Sequence, residues 1–256
     1  MIDTHAHLGV CDAADDELVA DARRAGVRRI LTVGLDEASN REAIAAAQAH
    51  EEVFASVGRH PNSAVGFDDA ATRDIEKLAA SERVRAIGET GLDYYRDSSP
   101  GEAQRQAFVA QIGIARRAAL PLVIHLRDQI GRHDAMDEVF VTLAAEAGGV
   151  TVILHCCSVP PDRVSEVADH GWYCSFAGNV TYPRSDELRE TARLVPDELL
   201  MVETDSPFLA PRSVRGKPNR PANAVEVAEV VAAERGLAYE ELERVVEANA
   251  ARVFRW

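Results

Sequence analysis

Short apolar segments alternate with helical segments along the chain, and this alternation constrains the fold more than any other feature of the sequence. Each apolar segment is close to continuously hydrophobic, which is typical of a parallel strand covered by helices on both faces. Eight of them are predicted as strands, at residues 1–7, 28–34, 53–58, 84–89, 122–125, 151–155, 172–176 and 199–205. This pattern predicts an α/β protein with a single (β/α)8 TIM barrel formed by one domain, residues 1–256.

The intervening segments carry the patterns expected of helices. Helices are predicted at residues 16–25, 39–50, 70–80, 99–115, 136–146, 161–170, 185–194, 223–235 and 239–254. Ser39 is predicted to be the N-cap of the second helix. A doubly wound open sheet is the structural alternative, but the chain lacks the G-x-G-x-x-G turn that would favour it.

Composition restricts the classes of function. The 42 Asp and Glu against 28 Lys and Arg give a formal charge of −14, which excludes the broad basic surface of a general nucleic-acid coat protein. The four cysteines form no C-x-x-C pair and are predicted to be reduced thiols. No run is apolar enough to cross a bilayer, and no basic segment precedes an apolar one at the N-terminus. We therefore expect a cytoplasmic protein without a membrane partner or an obligate protein partner.

Side chains that bind metals recur at the carboxyl ends of the predicted strands, where the active sites of such barrels lie. His5 and His7 share one side of the first strand with Asp3, because side chains alternate along a strand. A single histidine in a strand is usually a core residue, so the recurrence carries the argument. The residues at or directly after the ends of six predicted strands are His5, His7, His60, Glu89, His125, His155 and Asp205.

Four histidines and two carboxylates are more ligands than one tetrahedral ion uses, so the sequence predicts two divalent metal ions. Glu89 is predicted to bridge them, and Asp205 both to bind metal and to orient the attacking water. Mg, Mn and Zn are the candidate metals, because this mixed set of donors does not select one. Many dimetal amidohydrolases use a carbamylated lysine as the bridge, but the only lysines are Lys77, in a predicted helix, and Lys217, in a late loop.

Arginines are frequent in the loops at the same end of the predicted barrel. They include Arg59, Arg96, Arg127, Arg132, Arg184, Arg212, Arg215 and Arg220. In an acidic protein this placement predicts local contacts with an anionic ligand, although solvated loop residues are the alternative. Tyr94 and Tyr95 follow Glu89, and they either stack on a base or sugar or simply fix their loop.

Several motifs, in order along the chain, resemble the TatD family of metal-dependent deoxyribonucleases. They are DTHAHL (3–8), GRHP (58–61), GETGLDYY (88–95), IHLR (124–127), LHC (154–156), SFAGNVT (175–181), ETDSP (203–207) and NAARVF (249–254). The resemblance implies a TIM barrel of the metal-dependent hydrolase superfamily that uses divalent metals to cleave phosphodiester bonds in DNA. It also implies the metal ligands His5, His7, Glu89, His125, His155 and Asp205.

Further roles accompany the resemblance. His60 and Arg127 would contact substrate phosphate, Arg212 and Arg220 are further candidate substrate contacts, and Glu203 and Asp3 would support the ligands from behind. Some positions depart from the family pattern: Asn62 replaces a frequent second histidine, Cys157 and Val159 interrupt the usual HCFSG, and Arg220 replaces a usual glutamate. None of these is a predicted ligand, so they bear on substrate preference.

Three functions are compatible with these residues. The favoured one is metal-dependent hydrolysis of DNA by a metal-activated water at a two-metal site, as a 3′-5′ exonuclease on single-stranded or frayed ends. The second is a metal-dependent deacylase or amidohydrolase, such as a D-aminoacyl-tRNA deacylase. The third is a metal-binding barrel without catalysis, which the complete set of predicted ligands disfavours.

Overall fold

A computed structural model describes residues 1–96 and 98–256 of the chain. The strands are β1 (Ile2–Ala6), β2 (Arg29–Val33), β3 (Val53–Val57), β4 (Val84–Asp93), β5 (Leu122–Arg127), β6 (Val152–Leu154), β7 (Tyr173–Phe176) and β8 (Leu200–Val202). The helices are α1 (Asp15–Ala25), α2 (Glu37–Ala49), α3 (Asp69–Ala79), α4 (Gly101–Ala118), α5 (Asp134–Glu146), α6 (Val164–Asp169), α7 (Asp186–Leu194), α8 (Ala224–Arg235) and α9 (Tyr239–Phe254).

All eight strands are parallel and lie in one sheet in the order β1 to β8. At least one helix follows each strand. One face of the sheet therefore lines the interior of the barrel, and the other face is covered by an outer layer of helices. The strands are accordingly apolar on both faces, with Leu31, Val57 and Leu154 all buried. The predicted (β/α)8 barrel of the α/β class is therefore confirmed.

The barrel is nearly closed, and both backbone and side-chain hydrogen bonds join β1 to the segment after β8. Beyond the end of β8, Ala6 and Ser206 form an isolated parallel bridge, and the Asp205 N–H donates to the carbonyl of His5 at 2.9 Å. Asp3 accepts hydrogen bonds from the Thr204 N–H at 2.9 Å and the Thr204 hydroxyl at 2.6 Å. Burial raises the pKa of Asp3 to about 8 despite these bonds, which lower it. Asp3 thus adds side-chain hydrogen bonds to the backbone bonds that join β1 to the segment after β8.

Strand β4 runs four residues past its predicted end at Glu89. Residues Thr90 to Asp93 pair with β5, and the register shifts between Ile87 and Thr90. Gly91 permits this extension because it has a φ of +136°, and a Cβ there would lie 2.1 Å from the carbonyl oxygen of His125. The prediction that Glu89 ends its strand is wrong: Glu89 lies within β4, at the register shift, where an irregularity can redirect a side chain.

Most predicted helices differ from the observed ones by one or two residues at an end, and α9 has the predicted bounds. The start of α2 is a larger error. Asp36, not Ser39, is the N-cap, and its carboxylate accepts from the N–H groups of Ala38 and Ser39. Ser39 is the third helical residue, and its hydroxyl accepts from the Asp36 N–H at 2.9 Å. Both residues belong to one capping box, so the sequence alone does not identify which of the two polar residues begins the helix.

Buried asparagines attach the outer layer to the barrel. Asn249 in α9 donates to the carbonyls of Asp197 and Leu200 at 2.7 and 2.8 Å, which fixes α9 against the start of β8. Asn219 donates to the carbonyls of Thr204 and Phe208 and so shapes the loop after β8. Among the described residues, no helix has both the length and the hydrophobicity needed to span a membrane.

Candidate metal centre

The first two histidines meet at the carboxyl end of the barrel. His5 lies in β1 and His7 directly after it, both are buried, and their Nε2 atoms are 3.2 Å apart. His7 Nδ1 lies 2.9 Å from the carbonyl oxygen of Val33, which can only accept, so Nδ1 carries the hydrogen. In the neutral ring the lone pair of His7 is therefore on Nε2 and faces His5.

Glu89 lies at the centre of a cluster that it forms with His5, His7, His125, His155 and Asp205. It is 2% exposed, and its two oxygens are directed to different histidines. Oε1 is 3.5 Å from His7 Nε2, whereas Oε2 is 2.9 Å from His155 Nε2 and 3.3 Å from His125 Nδ1. Burial would raise the pKa of this carboxyl, but the surrounding imidazoles, His155 first among them, hold it well below its ordinary value. Glu89 is thus an anion held within a group of imidazoles.

His155, directly after β6, is oriented by a second buried carboxylate. Its Nδ1 is 3.1 Å from Glu203 Oε1, which also accepts from the Cys156 N–H at 2.7 Å. The carboxylate accepts the Nδ1 hydrogen, so the lone pair of the neutral ring is on Nε2 and faces Glu89. The His155 ring also stacks on His5 with centroids 3.9 Å apart. Glu203 therefore fixes both the orientation and the tautomer of His155.

Asp93 orients His125 in the same way, and sequence reasoning missed it. His125 Nε2 lies 3.3 Å from Asp93 Oδ2, and the same oxygen accepts from the Asn62 side chain at 3.0 Å. Asp93 is 1% exposed; burial would raise its pKa, but hydrogen bonds from His125 and the Arg96 N–H keep it below its ordinary value. The period of two along β4 could have revealed it, because Glu89, Gly91 and Asp93 share one side of the strand.

Asp205 completes the cluster from the loop after β8. Its Oδ1 lies 3.4 Å from His7 Nε2 and 4.0 Å from His5 Nε2. Its backbone has a positive φ of 54°, which turns the chain at the barrel rim. Phe208, in the same loop, places its ring edge-on to His7 with centroids 5.9 Å apart and stays 46% exposed.

His60 differs from the other histidines in its tautomer. Its Nδ1 accepts a hydrogen bond from the Asn62 N–H at 3.0 Å, so the hydrogen of the neutral ring is on Nε2. That Nε2 points towards Glu89 Oε1 at 3.8 Å, and burial lowers the pKa of His60 to about 3. His60 therefore presents a neutral N–H donor at the edge of the cluster, and an N–H group does not bind a metal ion.

The donor atoms fit metal cations. Two donors that each lie about 2.1 Å from one cation are about 3.0 to 3.4 Å apart in octahedral or tetrahedral arrangements. His7 Nε2, Glu89 Oε1 and Asp205 Oδ1 have spacings of 3.4 and 3.5 Å around His7. Lone pairs this close repel unless a proton or a cation lies between them. Groups of three donors within 4.8 Å of one another include His5, His7 and Asp205, and His155, Cys156 and Asp205.

A second set consists of Glu89 Oε2, His125 Nδ1 and His155 Nε2, which are 2.9 to 3.5 Å from one another. Glu89 Oε2 is buried and has no hydrogen-bond partner of acceptable geometry in the described part of the chain. Buried carboxylate oxygens require a partner, and a divalent cation would provide it. The chemistry of the cluster therefore suits metal binding.

The predicted basic residues have different surroundings. The guanidinium of Arg127 lies over the Tyr95 ring, with Cζ 4.2 Å from the centroid, and Arg212 is exposed. Arg220 bonds to Glu17 at 2.7 Å and Asp21 at 2.5 Å on α1, so its role as a substrate contact stays a prediction. No local pattern in the sequence indicates this pairing, because about 200 residues separate the partners.

The barrel with its buried histidine and carboxylate cluster defines a metal-dependent hydrolase. A family model described as TatD related DNase matches residues 2–255, and the chain belongs to this family. The uncharacterized metal-dependent hydrolase YabD of Bacillus subtilis is 35% identical, over 100% of this chain and 99% of the relative. The 3′-5′ ssDNA/RNA exonuclease TatD of Dickeya dadantii is 36% identical, over 94% and 91%. The crystal structure of the TatD homologue YJJV from Escherichia coli superposes with a TM-score of 0.91, at 25% identity over 100% and 98%.

Proposed function

We propose that this protein hydrolyses phosphodiester bonds of DNA as a 3′-5′ exonuclease acting on single-stranded or frayed ends. The observation that carries the proposal is the buried cluster around Glu89, with a neutral N–H donor, His60, at its edge. A phosphoryl group has several oxygens that need hydrogen-bond donors or positive charge; His60 would supply a donor, and the proposed cations would supply the charge. The name of the Dickeya relative supports the polarity and the single-stranded preference.

In this proposal two divalent cations bind. His5, His7 and Asp205 would hold one, His125 and His155 would hold the other, and Glu89 would contribute to both. Glu203 would support His155, and Asp3 would support the backbone that carries Asp205. When bound, such cations polarise a phosphoryl oxygen and lower the pKa of a water molecule.

The remaining roles belong to side chains of this protein. Asp205, at the rim and 8% exposed, would orient the attacking water and accept its proton. The oxygen of that water bonds to phosphorus while the bond to the leaving oxygen breaks, and the leaving oxygen takes up a proton from solvent to become a hydroxyl group. His60 would donate its Nε2 hydrogen to a phosphoryl oxygen, and Arg127 and Arg212 would neutralise neighbouring phosphates.

The test uses oligonucleotides labelled at the 5′ end, either single-stranded or as duplexes with blunt or 3′-overhanging ends. After chelation, Mg, Mn or Zn is added back separately. We expect a ladder shortened from the 3′ end, fastest on single strands. His60→Ala should lower kcat/KM by about 100-fold, as the loss of one oriented donor does elsewhere. His170→Ala is the matched control, because His170 is an exposed histidine that stacks on Trp172.

D-aminoacyl-tRNA provides the competing substrate in the same assay. Ester cleavage of this substrate, combined with intact oligonucleotides under every metal, would replace the nuclease proposal with a deacylase. Cleavage that starts from the 5′ end would overturn the polarity only.

A further inference from the structure

Two adjacent tyrosines after β4 have opposite surroundings. Tyr94 is partly buried; its N–H donates to the carbonyl of Arg127 at 2.8 Å, and its hydroxyl donates to Glu138 at 2.6 Å. Tyr95 is 49% exposed, and the Arg127 guanidinium covers one face of its ring. Tyr94 therefore attaches the loop to β5 and α5, which leaves the Tyr95 ring in solvent.

The backbone of Tyr95 is fixed relative to the metal centre. Asp93 Oδ1 accepts from the N–H groups of Tyr95 at 3.0 Å and Arg96 at 2.9 Å. The other oxygen of the same carboxylate contacts His125 Nε2 at 3.3 Å. One buried side chain thus connects a candidate ligand to the backbone of Tyr95, so the position of that backbone relative to the cluster is fixed.

A cleft of about 460 Å³ begins at this carboxylate. Tyr95, Arg96, Gln129 and Arg132 line it together with Asp93. This volume lies in the range of small-molecule sites. The lining combines the aromatic face of Tyr95 with Arg96 and with Arg132, whose guanidinium bonds to Asp134 in the same cleft. Rings backed by guanidinium groups are how proteins bind unpaired bases without reading their sequence, because every base has a stacking face.

From these contacts we propose that Tyr95, backed by Arg127, is a stacking platform for one unpaired base next to the scissile phosphate. The inference rests on the proposed nuclease function and deepens it by naming the group that selects single strands. A paired base is stacked within its duplex and has no free face, so only an unpaired or frayed nucleotide occupies the cleft. Arg96, in the same lining, then lies beside the backbone of that nucleotide.

The first experiment measures binding by the protein treated with chelator, without turnover. Single-stranded oligonucleotides carry 2-aminopurine, whose fluorescence stacking quenches, at successive positions from the 3′ end. We expect one position to be quenched by the wild-type protein and not by Tyr95→Ala, with a Kd at least about fivefold weaker for the variant. Tyr95→Phe keeps the ring and should keep the quenching. Ile130→Ala, at an exposed apolar residue in the loop after β5, is the control for lost apolar surface.

The second experiment combines the variant with a change in the substrate. In the presence of metal, an abasic site at the quenched position should raise the KM of the wild-type enzyme at least about fivefold. The same abasic site should leave the KM of Tyr95→Ala unaltered relative to its own value on intact DNA, since the stacking partner is already gone. A variant that is merely misfolded would not lose its response to an abasic site at that one nucleotide position alone.

The failures are distinguishable. If the wild-type protein cleaves no oligonucleotide with any metal, the proposed function fails. If it cleaves DNA but Tyr95→Ala retains both the quenching and the response to the abasic site, the stacking inference alone fails. Equal cleavage rates for single-stranded and blunt duplex ends by both proteins would also overturn it.

Discussion

Replacing Glu89 by Gln should abolish tight binding of both metal ions. The change keeps the shape of the side chain but removes its charge. One carboxylate oxygen lies 3.5 Å from His7 Nε2, and the other lies 2.9 Å from His155 Nε2. An amide in their place presents only one oxygen, so at least one set of imidazoles faces an NH2 group instead of a carboxylate oxygen.

Glu203, which contacts His155, provides a lower bound on the loss of metal affinity expected for Glu89→Gln. Groups that orient metal ligands without binding the metal typically change its affinity 10- to 100-fold when removed. We expect Glu203→Gln to fall within that range, because Glu203 accepts from His155 Nδ1 at 3.1 Å. Glu89 faces both sets of donors directly, so its loss should exceed about 100-fold at each site, or about 2.7 kcal/mol.

The assay is titration calorimetry with Mn and Zn on protein freed of metal, with metal content measured in parallel after gel filtration. Circular dichroism checks that each variant is folded. His170→Ala, at an exposed histidine that stacks on Trp172 and belongs to none of the donor groups, controls for binding by a surface histidine. The bridging role would be refuted if Glu89→Gln lost one ion and kept the other with unchanged affinity. Retention of both ions would refute the whole placement of the metal centre.

Three further predictions concern stability. Asp36→Ala should lower the free energy of unfolding by about 1 kcal/mol by removing the cap of α2. Hydrogen bonds from Ser39 hold the pKa of Asp36 below its ordinary value, so this contribution to stability is present above the unfolded-state pKa and is lost as the pH falls through the folded-state pKa. In urea denaturation, the stability difference between the wild-type protein and Asp36→Ala should be smaller at acid pH than at neutral pH. A difference that stays constant with pH would contradict this prediction. Gly91→Ala should lower the free energy of unfolding by about 3 kcal/mol or more, because the new methyl group collides with the His125 carbonyl. Gly66→Ala, which is also at positive φ but in open space, should lower it by only about 1 kcal/mol. Mn at about 100 times its Kd should stabilise the wild-type protein by about 2.7 kcal/mol in thermal unfolding, and an unchanged melting temperature would argue against a site formed only in the folded state.

Local sequence predicts the elements well, for a physical reason. A strand or helix of this barrel is determined by which of its faces is apolar, and that period is visible in a short window. All eight strands are predictable for this reason, and so is α9 with its bounds. The errors lie at the ends, where pairing with a neighbour decides: β4 continues to Asp93 because β5 is beside it.

The family motifs and the strand positions together are enough to predict the six candidate ligands from the sequence. Their supporting contacts are harder to predict. Glu203 follows from its motif, but Asp93 requires the true length of β4, and the tautomer of His60 depends on one backbone N–H at Asn62. Arg220 and Arg127 are equivalent in sequence as loop arginines, yet one bonds to α1 and the other covers Tyr95.

The sequence by itself determined the barrel, the family and the identity of the residues that face its mouth, since these depend on local periodicity and on motifs. Tertiary structure decided which nitrogen of each histidine is free, how Glu89 divides its two oxygens, and which tyrosine stays in solvent. Those outcomes depend on contacts between segments that are distant along the chain, such as His7 with Val33 and His155 with Glu203, which meet only when the barrel closes.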